Sequence, residues 1–288
     1  MTLAIIFLFK YRMKNEIYFR LFFFLGVFAL IAFWEILAPR LAISISKLKR
    51  WYNNLSIILI NIMVVRLLIP VIPVAIAVKA SSEGLGLLYI LNINFFMGVV
   101  IGVIILDFVI YLQHLMFHAV PLLWRFHMMH HADLGIDVTT GLRFHPIEII
   151  LSLFIKISAI IIIGAPPVAV IIFEILLNAT AMFNHGNIYI NHRIDKILRL
   201  VVVTPDMHRV HHSIIIRETN SNFGFNLPWW DRMFGTYRDQ PSATHEGIVI
   251  GLAQYRSNIS LLKMVILPFV GESGNYSINR WGREPVKK

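Results

Sequence analysis

The sequence predicts an all-α integral membrane protein, with about four to five transmembrane helices and a cytoplasmic, His-rich helical cap. Of its 288 residues, 57% are hydrophobic and only 15% are charged, and several apolar stretches are long enough to cross a bilayer. Ordinary domains carry roughly 25% charged residues, so this composition excludes a soluble globular enzyme and a disordered chain. The chain has no Cys, which excludes a disulfide-built secreted domain, thiolate metal sites and a Cys nucleophile.

Five apolar stretches approach the roughly 17–25 residues that a membrane-spanning helix needs. They are Leu21–Ala38, Leu55–Val78, Met97–Phe117, Ile147–Ile163 and Pro167–Phe183. The last two are predicted to form a helical hairpin, because the glycine and two prolines of Gly164–Pro167 end one helix and let the chain turn. The run Leu3–Phe9 is too short to span and is expected at the membrane interface. Leu85–Phe96 is expected to be a re-entrant or surface segment.

The basic residues predict the orientation of these spans. The chain carries 26 Lys and Arg against 16 Asp and Glu, and half of the basic residues follow Phe183. The Pro39–Asn54 loop is also basic and contains no acid, so both segments are expected to face the cytoplasm. The positive charge is therefore interpreted as membrane topology, and no nucleic acid partner is predicted.

Four basic residues disagree with this orientation, because they would lie outside in a chain with five spans. They are Lys10, Arg12, Lys14 and Arg20. An N-terminal half-span that returns to the cytoplasm, or a first pair of helices that does not fully cross, would remove the conflict.

Nine of the 12 His lie at one predicted membrane face. They form the motifs His114-x-x-x-His118, His127-x-x-His130-His131 and His208-x-x-His211-His212, and His185 ends the fifth span. Positions i, i+3 and i+4 of a helix share one side, so each motif is expected to direct its imidazoles to one place. Nine imidazoles exceed what one ion binds, so two metals are predicted. Imidazole suits Fe, Zn, Cu and Ni alike, and the spacing does not choose among them.

Three further side chains are candidates for orienting these ligands. Asp107 shares a helical stripe with His114 and is predicted to accept its ring N–H, the alternative being a carboxylate that packs helices together. His145 and Glu148 are expected either to orient the second motif or to serve as a helix cap and an acid that complements the helix dipole. Outside the motifs, His192 is a further candidate ligand, whereas His245 is expected to be a surface residue.

Segments between Asp107 and Tyr237 closely resemble the fatty acid hydroxylase/sterol desaturase superfamily, in its order and spacing. They read LDFVIYLQHLMFHAVPLLWRFHMMHHAD, TTGLRFHPIE, FNHGN, TPDMHRVHHS and NFGFNLPWWDRMFGTY. The resemblance implies a non-haem di-iron centre at the cytoplasmic membrane face, with the eight motif histidines as ligands. It also implies that His185, in FNHGN, is an additional ligand.

The same resemblance implies a function. It predicts an enzyme that uses O2 and external electrons to hydroxylate or desaturate a lipid, such as a sterol, a fatty acyl chain, an alkyl glycerol ether or a carotenoid-like molecule. Because the chain has no H-P-G-G haem-domain motif, a separate donor is expected, either a small redox protein with its reductase or a reduced pterin. The expected location is the bacterial inner membrane or the endoplasmic reticulum.

On this interpretation residues 1–288 form a single domain. Residues 1–96 are predicted to be N-terminal membrane helices, residues 97–240 the di-iron histidine region, and residues 241–288 a C-terminal cytoplasmic tail.

Two alternatives from other classes stay open. A haem-binding transmembrane electron carrier would use paired His on facing helices, although crowded imidazoles on one helix face cannot all be axial ligands. A membrane zinc hydrolase would activate water without redox chemistry. The sequence has no H-E-x-x-H motif, and Glu148 is the only candidate base near the histidines.

Overall fold

The computed structural model describes residues 3–43, 45–69 and 72–276, with side chains from residue 17 onward. Within those ranges the chain is helical, with only isolated β-bridges and no strand, which confirms the all-α prediction. The helices are α1 (Leu3–Leu37), α2 (Lys47–Leu68), α3 (Pro73–Ser82), α4 (Leu87–Ile90), α5 (Phe95–Ala119), α6 (Pro121–His131), α7 (Pro146–Ile163), α8 (Pro167–Asn184), α9 (His192–Leu198), α10 (Pro205–His211), α11 (Ile216–Thr219), α12 (Trp229–Met233) and α13 (Leu261–Val270).

Five helical segments are long and apolar enough to cross a membrane. They are Ile17–Leu37, Lys47–Ile90, Phe95–Ala119, Pro146–Ile163 and Pro167–Asn184. Each overlaps one predicted span, so the multi-pass architecture is confirmed. The second segment contains two main helices, and Pro73 occupies the first turn of α3, where a missing backbone N–H costs no hydrogen bond. The predicted re-entrant or surface segment forms α4 and the turn that leads into α5.

The membrane helices run between two ends of the molecule. At one end, called here the hairpin end, the α7–α8 turn packs against the segment before α4. Gly86 and Gly164 both have positive φ there, and a Cβ on Gly86 would lie 2.2 Å from the Gly164 backbone nitrogen. Only glycine permits this backbone approach. The histidine motifs lie at the opposite end.

Helix α1 is continuous from Leu3 to Leu37. The half-span that would return the N-terminus to the cytoplasm is therefore wrong, because no turn interrupts the helix. Arg20, the fourth basic residue of this region, reaches Glu174 in the middle of α8, with 2.6 Å between the guanidinium and the carboxylate. The structure does not describe the side chains of Leu3–Phe9, Lys10, Arg12 and Lys14. The membrane-interface location predicted for Leu3–Phe9 therefore stays a prediction.

A polar cap covers the histidine end and is tied to the membrane helices by buried ion pairs. Arg50 of α2 contacts Asp133 at 2.8 Å and Asp137 at 2.7 Å. Burial alone would raise the pKa of Asp133, but the guanidiniums of Arg50 and Arg143 outweigh it and hold this pKa well below its usual range. Asp133 is therefore a buried anion whose charge depends on both arginines.

Candidate metal centre

The structure brings all nine motif histidines together in two neighbouring groups. Group A consists of His114, His118, His127, His131 and His211, and group B of His130, His185, His208 and His212. Within each group the ligand atoms all lie within 4.8 Å of one another. Every one of these side chains is buried.

Each H-x-x-H-H motif is divided between the two groups. In α6, His127 and His131 belong to group A and His130 to group B, whereas α10 and its C-cap give His208 and His212 to group B and His211 to group A. The expectation that each motif directs its rings to one place is confirmed for His114 and His118, which both lie in group A, and is wrong for the two H-x-x-H-H motifs. Residues i+3 and i+4 lie about 100° apart around the helix axis, so one helix edge can serve two adjacent positions.

The outer nitrogens of group A are held by hydrogen-bond acceptors. His114 Nδ1 lies 2.8 Å from the Phe223 carbonyl oxygen, and His211 Nδ1 lies 2.7 Å from the Ser221 carbonyl oxygen. His118 Nδ1 is 3.1 Å from the side-chain oxygen of Asn220. A carbonyl oxygen only accepts, so each of these rings carries its proton on Nδ1 and keeps a lone pair on Nε2.

The same arrangement holds for two of the four rings in group B, where the acceptors belong to the backbone. His130 Nδ1 donates to the Arg143 carbonyl oxygen at 3.2 Å, and His185 Nδ1 donates to the Ala181 carbonyl oxygen at 2.7 Å. Both rings therefore also keep an Nε2 lone pair.

These Nε2 atoms face one another. His114 and His127 approach at 3.1 Å between Nε2 atoms in group A, and His130 and His185 approach at 3.1 Å in group B. Two nitrogens whose protons are both on Nδ1 cannot hydrogen-bond to each other, and their lone pairs repel. The Nε2 atoms of His118, His131 and His211 are also buried without a partner among the described residues. A cation in each group would satisfy these lone pairs, so the residues present fit two metal ions.

Burial keeps the imidazoles of the cap neutral. It lowers the pKa of His211 to about 3 and that of His185 to about 4, and it holds the pKa of His130, His131 and His208 well below the usual value. Neighbouring imidazoles add to this effect in His130, His131 and His208, because protonation of one ring disfavours protonation of the next. The neutral form is the one that binds a metal.

The two candidates around Pro146 have different roles. Glu148 lies 2.7 Å from His127 Nδ1 through Oε1, so it orients a ring of the second motif. His145 instead caps α7, because its Nδ1 accepts the Ile147 N–H at 3.2 Å and its Nε2 donates to the Val265 carbonyl oxygen at 3.1 Å. The helix-cap alternative therefore describes His145, and the ligand-orienting alternative describes Glu148.

The predicted hydrogen bond between Asp107 and His114 is wrong. Seven residues of helix separate their Cα atoms by about 10.5 Å along the axis, which is beyond side-chain reach. The Asp107 carboxylate instead accepts the Trp230 indole N–H at 2.8 Å and the backbone N–H groups of Asn226 and Leu227 at 3.2 Å and 3.3 Å. It packs the segment before α12 against α5, which is the alternative of a helix-packing carboxylate.

The two remaining histidines lie outside both groups. His192 is exposed at the start of α9 and belongs to neither group. His245 is only 8% exposed, so its predicted surface location is wrong. Its Nε2 lies 3.8 Å from the Asp206 carboxylate, and burial lowers the pKa of His245 to about 4.

The sequence did not predict most of the hydrogen-bond acceptors that orient the histidine rings. The loop from Asn220 to Phe223 supplies acceptors to three rings of group A, and the Arg143 carbonyl supplies one to group B. Backbone carbonyls carry no signal in residue type, so the sequence could not have revealed them. Asn220 lies outside the histidine motifs and outside the segments that resemble the superfamily.

An apolar cavity of about 630 Å³ leads from group A into the membrane region, between α1, α2, α5, α7 and α8. His114 and His127 line it, whereas none of the described residues that line it belongs to group B. Its far part contains the Arg20–Glu174 pair and Lys156, whose ammonium lies 2.7 Å from the Glu174 carboxylate. The cavity therefore joins one histidine group to the lipid-embedded part of the protein.

Comparison with known proteins shows a family match and several relatives. Residues 99–236 match the sequence model of the fatty acid hydroxylase family. The chain is 32% identical over 152 residues to the ornithine lipid hydroxylase OlsE of Rhizobium tropici, covering 52% of this chain and 45% of that relative. It is 31% identical over 152 residues to alkylglycerol monooxygenase of Homo sapiens, covering 51% of this chain and 31% of that relative. No solved structure matches the chain.

A third relative is the Delta(7)-sterol-C5(6)-desaturase of Nicotiana tabacum, 28% identical over 147 residues, which are 48% of this chain and 49% of the relative. The chain thus spans less than half the length of each of these three proteins. All nine histidines of groups A and B lie inside the family match. The match of residues 99–236 and these relatives therefore confirm the resemblance of the motifs to the fatty acid hydroxylase/sterol desaturase superfamily.

Proposed function

We propose that this protein is a membrane-bound non-haem di-iron oxidoreductase that uses O2 and electrons from a separate donor to hydroxylate or desaturate a lipid. One observation carries the proposal: nine buried imidazoles present converging Nε2 atoms at the end of an apolar cavity in the membrane region. The three relatives described above are named for an ornithine lipid, an alkylglycerol and a sterol, which supports a lipid substrate.

The residues of the two groups would hold one iron each, group A with five imidazoles and group B with four. The bound irons would supply the redox chemistry that reduces O2 and oxidises a C–H bond. The neutral imidazoles leave the metal pair more positively charged than carboxylate ligands would. Glu148 fixes the tautomer of His127 and makes its Nε2 a better donor to a metal. The cavity gives an alkyl chain or ring system a dry path to group A.

We further propose that the cap faces the cytoplasm, in a bacterial inner membrane or the endoplasmic reticulum. The basic residues that follow the fifth span support this orientation. A cytoplasmic cap would give a reductase-linked redox protein or a reduced pterin access to the metal region. The substrate remains within the class of sterols, fatty acyl chains, alkyl glycerol ethers and similar lipids.

The two alternatives are less consistent with the geometry. A haem needs room for a flat macrocycle between its axial rings, but the rings of His114 and His211 have centroids only 4.6 Å apart. A catalytic zinc site binds its ion through about three protein ligands and leaves one position for water, whereas group A offers five imidazoles and group B four.

The test uses the purified full chain. We expect two irons per chain by elemental analysis, and a lipid product that has gained one oxygen or lost two hydrogens only when O2 and a reductant are present. Removal of iron and reloading with zinc should abolish product formation. Full activity of the zinc form would overturn the redox proposal, and a Soret band would favour the haem alternative.

A further inference from the structure

Helix α13 is apolar on every side. Lys263 is its only charged residue, and the other residues of Leu261–Val270 are hydrophobic or proline. A helix that is hydrophobic all round is normally buried in protein or in lipid. With 10 residues it is too short to cross a bilayer, which takes about 20. The sequence predicts this segment to be part of a C-terminal cytoplasmic tail, where water would surround it.

One face of α13 packs on a membrane helix. Met264 and Leu267 belong to a buried cluster that also contains Ile57 of α2, and Ile60 of α2 packs against the same cluster. Both isoleucines lie in the apolar stretch that is predicted to span the membrane, and in the second candidate membrane span of the structure. Ile57 follows the first residue of α2 by ten positions, which is about 15 Å along the helix axis. The buried face of α13 therefore meets α2 within its apolar part.

Two hydrogen bonds fix the level of α13 relative to the membrane helices. Asn53 Nδ2 of α2 donates to the Ile259 carbonyl oxygen at 2.9 Å, two residues before α13 begins. His145 Nε2, at the N-cap of α7, donates to the Val265 carbonyl oxygen at 3.1 Å, in the middle of α13. Both side chains lie where α2 and α7 enter their apolar stretches. Helix α13 therefore lies at the boundary between the cap and the membrane helices.

The opposite face of α13 is apolar and exposed in the part of the chain that the structure describes. Its residues follow one another at helical spacing and form one stripe, which consists of Leu262, Ile266, Phe269 and Val270. Lys263 borders this stripe and places its ammonium 5.8 Å from the centroid of the Tyr255 ring. Basic and aromatic residues at the edge of an apolar surface are typical of a helix that lies at a membrane–water interface.

Helix α13 is also bound to the helix that carries the second histidine motif. The Arg125 guanidinium of α6 donates to the Pro268 carbonyl oxygen. The Trp124 indole N–H of α6 donates to the Ser273 carbonyl oxygen, just after α13, at 2.8 Å. Arg125 and Trp124 precede His127 by two and three residues. The position of α13 is therefore coupled to that of α6 and its histidines.

We propose that α13 is an in-plane membrane anchor, whose exposed stripe inserts among the acyl chains of the leaflet that borders the cap. Lipid is the occupant that the position favours, because the other face of the same short helix packs on residues of a membrane span. Inserted in this way, α13 fixes α6 at the membrane surface. The proposal rests on the position of α13 and does not depend on the proposed function.

The experiment exploits the absence of Cys from the chain. Leu262→Cys and Val270→Cys each provide one attachment site for a nitrobenzoxadiazole fluorophore, at the two residues of the stripe that are 72% exposed. The labelled full chain is placed in phosphatidylcholine nanodiscs, which leave both faces of the bilayer accessible. Two quenchers are compared: a doxyl group near the headgroup end of a phosphatidylcholine acyl chain, and aqueous iodide.

Two reference sites calibrate the result. Leu59→Cys, at an exposed position in the apolar part of α2, gives the response of a site that faces lipid. Ala243→Cys, in an exposed polar loop of the cap, gives that of a site that faces water. We expect both α13 labels to respond like the Leu59 label. Iodide should quench them at least about tenfold less than the Ala243 label, because burial of a side chain the size of Leu or Val favours insertion by at least that factor.

Iodide quenching of both α13 labels as strong as that at Ala243 would overturn the inference, because the stripe would then face water. Protection of both labels from both quenchers would also overturn it, because protein would then cover the stripe, as in a dimer. Neither measurement needs a bound metal or turnover. Quenching by lipid in a protein that oxidises no lipid would leave the anchor standing and refute the proposed function, whereas lipid oxidation with a stripe that faces water would refute only the anchor.

Discussion

Groups A and B consist of the same kind of side chain but differ in their surroundings. Two rings of group A are oriented by side chains, Glu148 and Asn220, whereas the hydrogen bonds that orient His130 and His185 in group B go to backbone carbonyls. Group A also faces the cavity and group B does not. The difference teaches that two histidine groups built from the same motifs are not equivalent. On the proposed function, the metal position at group A is the one that meets the substrate.

The strongest way to break this comparison is to remove one ligand from each group. We expect His211→Ala in group A and His130→Ala in group B each to lower the turnover of lipid by more than about 100-fold. The loss should be this large because removing a metal ligand costs more activity than removing a residue that only hydrogen-bonds to a ligand. Metal content should fall below two ions per chain. Product formation and elemental analysis measure the two effects.

His192→Ala is the control, because His192 is exposed and outside both groups. It should keep both ions and full activity. If either ligand variant kept most of its activity, that histidine would not be a ligand. If only the group A variant lost activity, group B would be dispensable for turnover.

The second prediction concerns a buried ion pair that holds the cap, and with it both histidine groups, on the membrane helices. Arg50 pairs with Asp133, which follows His131 of group A by two residues. Arg50→Met leaves buried carboxylates without their partner, so we expect the free energy of unfolding to fall by about 3–5 kcal/mol. Thermal or chemical unfolding of the purified protein measures this, and both ions should be lost together as the cap opens.

Lys47→Met is the matched control on the same helix. Lys47 is half exposed and lies 3.8 Å from the Glu35 carboxylate, so its removal should cost less than about 1 kcal/mol. A loss from Arg50→Met no larger than this would mean that the buried pair does not hold the cap on the membrane helices.

The third prediction should separate the two groups. Glu148→Gln keeps an acceptor for His127 but removes the negative charge that raises the donor strength of the ring. We expect the metal affinity of group A to fall about 10- to 100-fold while that of group B is unchanged. Metal titration against a competing chelator should then resolve one tight and one weakened ion.

Glu246→Gln serves as its control, because Glu246 is an exposed carboxylate of the cap that pairs with Arg40. It should leave both affinities unchanged. Equal weakening of both ions by Glu148→Gln would show that the two groups respond as one unit, and the comparison would lose its basis.

The features that depend only on the type and order of side chains could be predicted from the sequence. The five spans follow from apolar length, and the nine histidines that converge follow from their motifs. It was not sufficient for features that depend on distance through the fold. Asp107 precedes His114 by seven residues on the same helical stripe, but the distance along the helix is too long for a hydrogen bond between the two side chains. Only the fold reveals that the Phe223 carbonyl oxygen accepts the His114 ring N–H instead.

The division of each motif between two groups was also beyond the sequence. The spacing H-x-x-H-H places its rings along one helix edge, but one edge can face one ion or straddle two. Which occurs depends on where α5, α6, α8 and α10 meet, and that is set by packing far from the motifs. His245 teaches the same lesson, because its burial beside Asp206 comes from a distant part of the chain.

The smallest predicted effect sharpens the comparison most. Asn220 accepts the ring N–H of His118 and is neutral, and its Nδ2 donates to the Tyr276 carbonyl oxygen at 2.8 Å, so its oxygen is held in place. Asn220→Ala should weaken metal binding at group A by about tenfold or less, because only one neutral hydrogen bond is lost and the His118 ring still packs on Trp124 with centroids 4.9 Å apart.

The same chelator titration measures this loss, with Asn258→Ala as a control in an exposed loop of the cap. The ratio of the losses at Asn220 and Glu148 then separates orientation from charge. A much larger loss at Glu148 would mean that the carboxylate acts by making His127 a stronger donor. Equal losses would mean that both side chains only hold a ring in place, as the backbone carbonyls do in group B, and the two groups would then differ only in their access to the cavity.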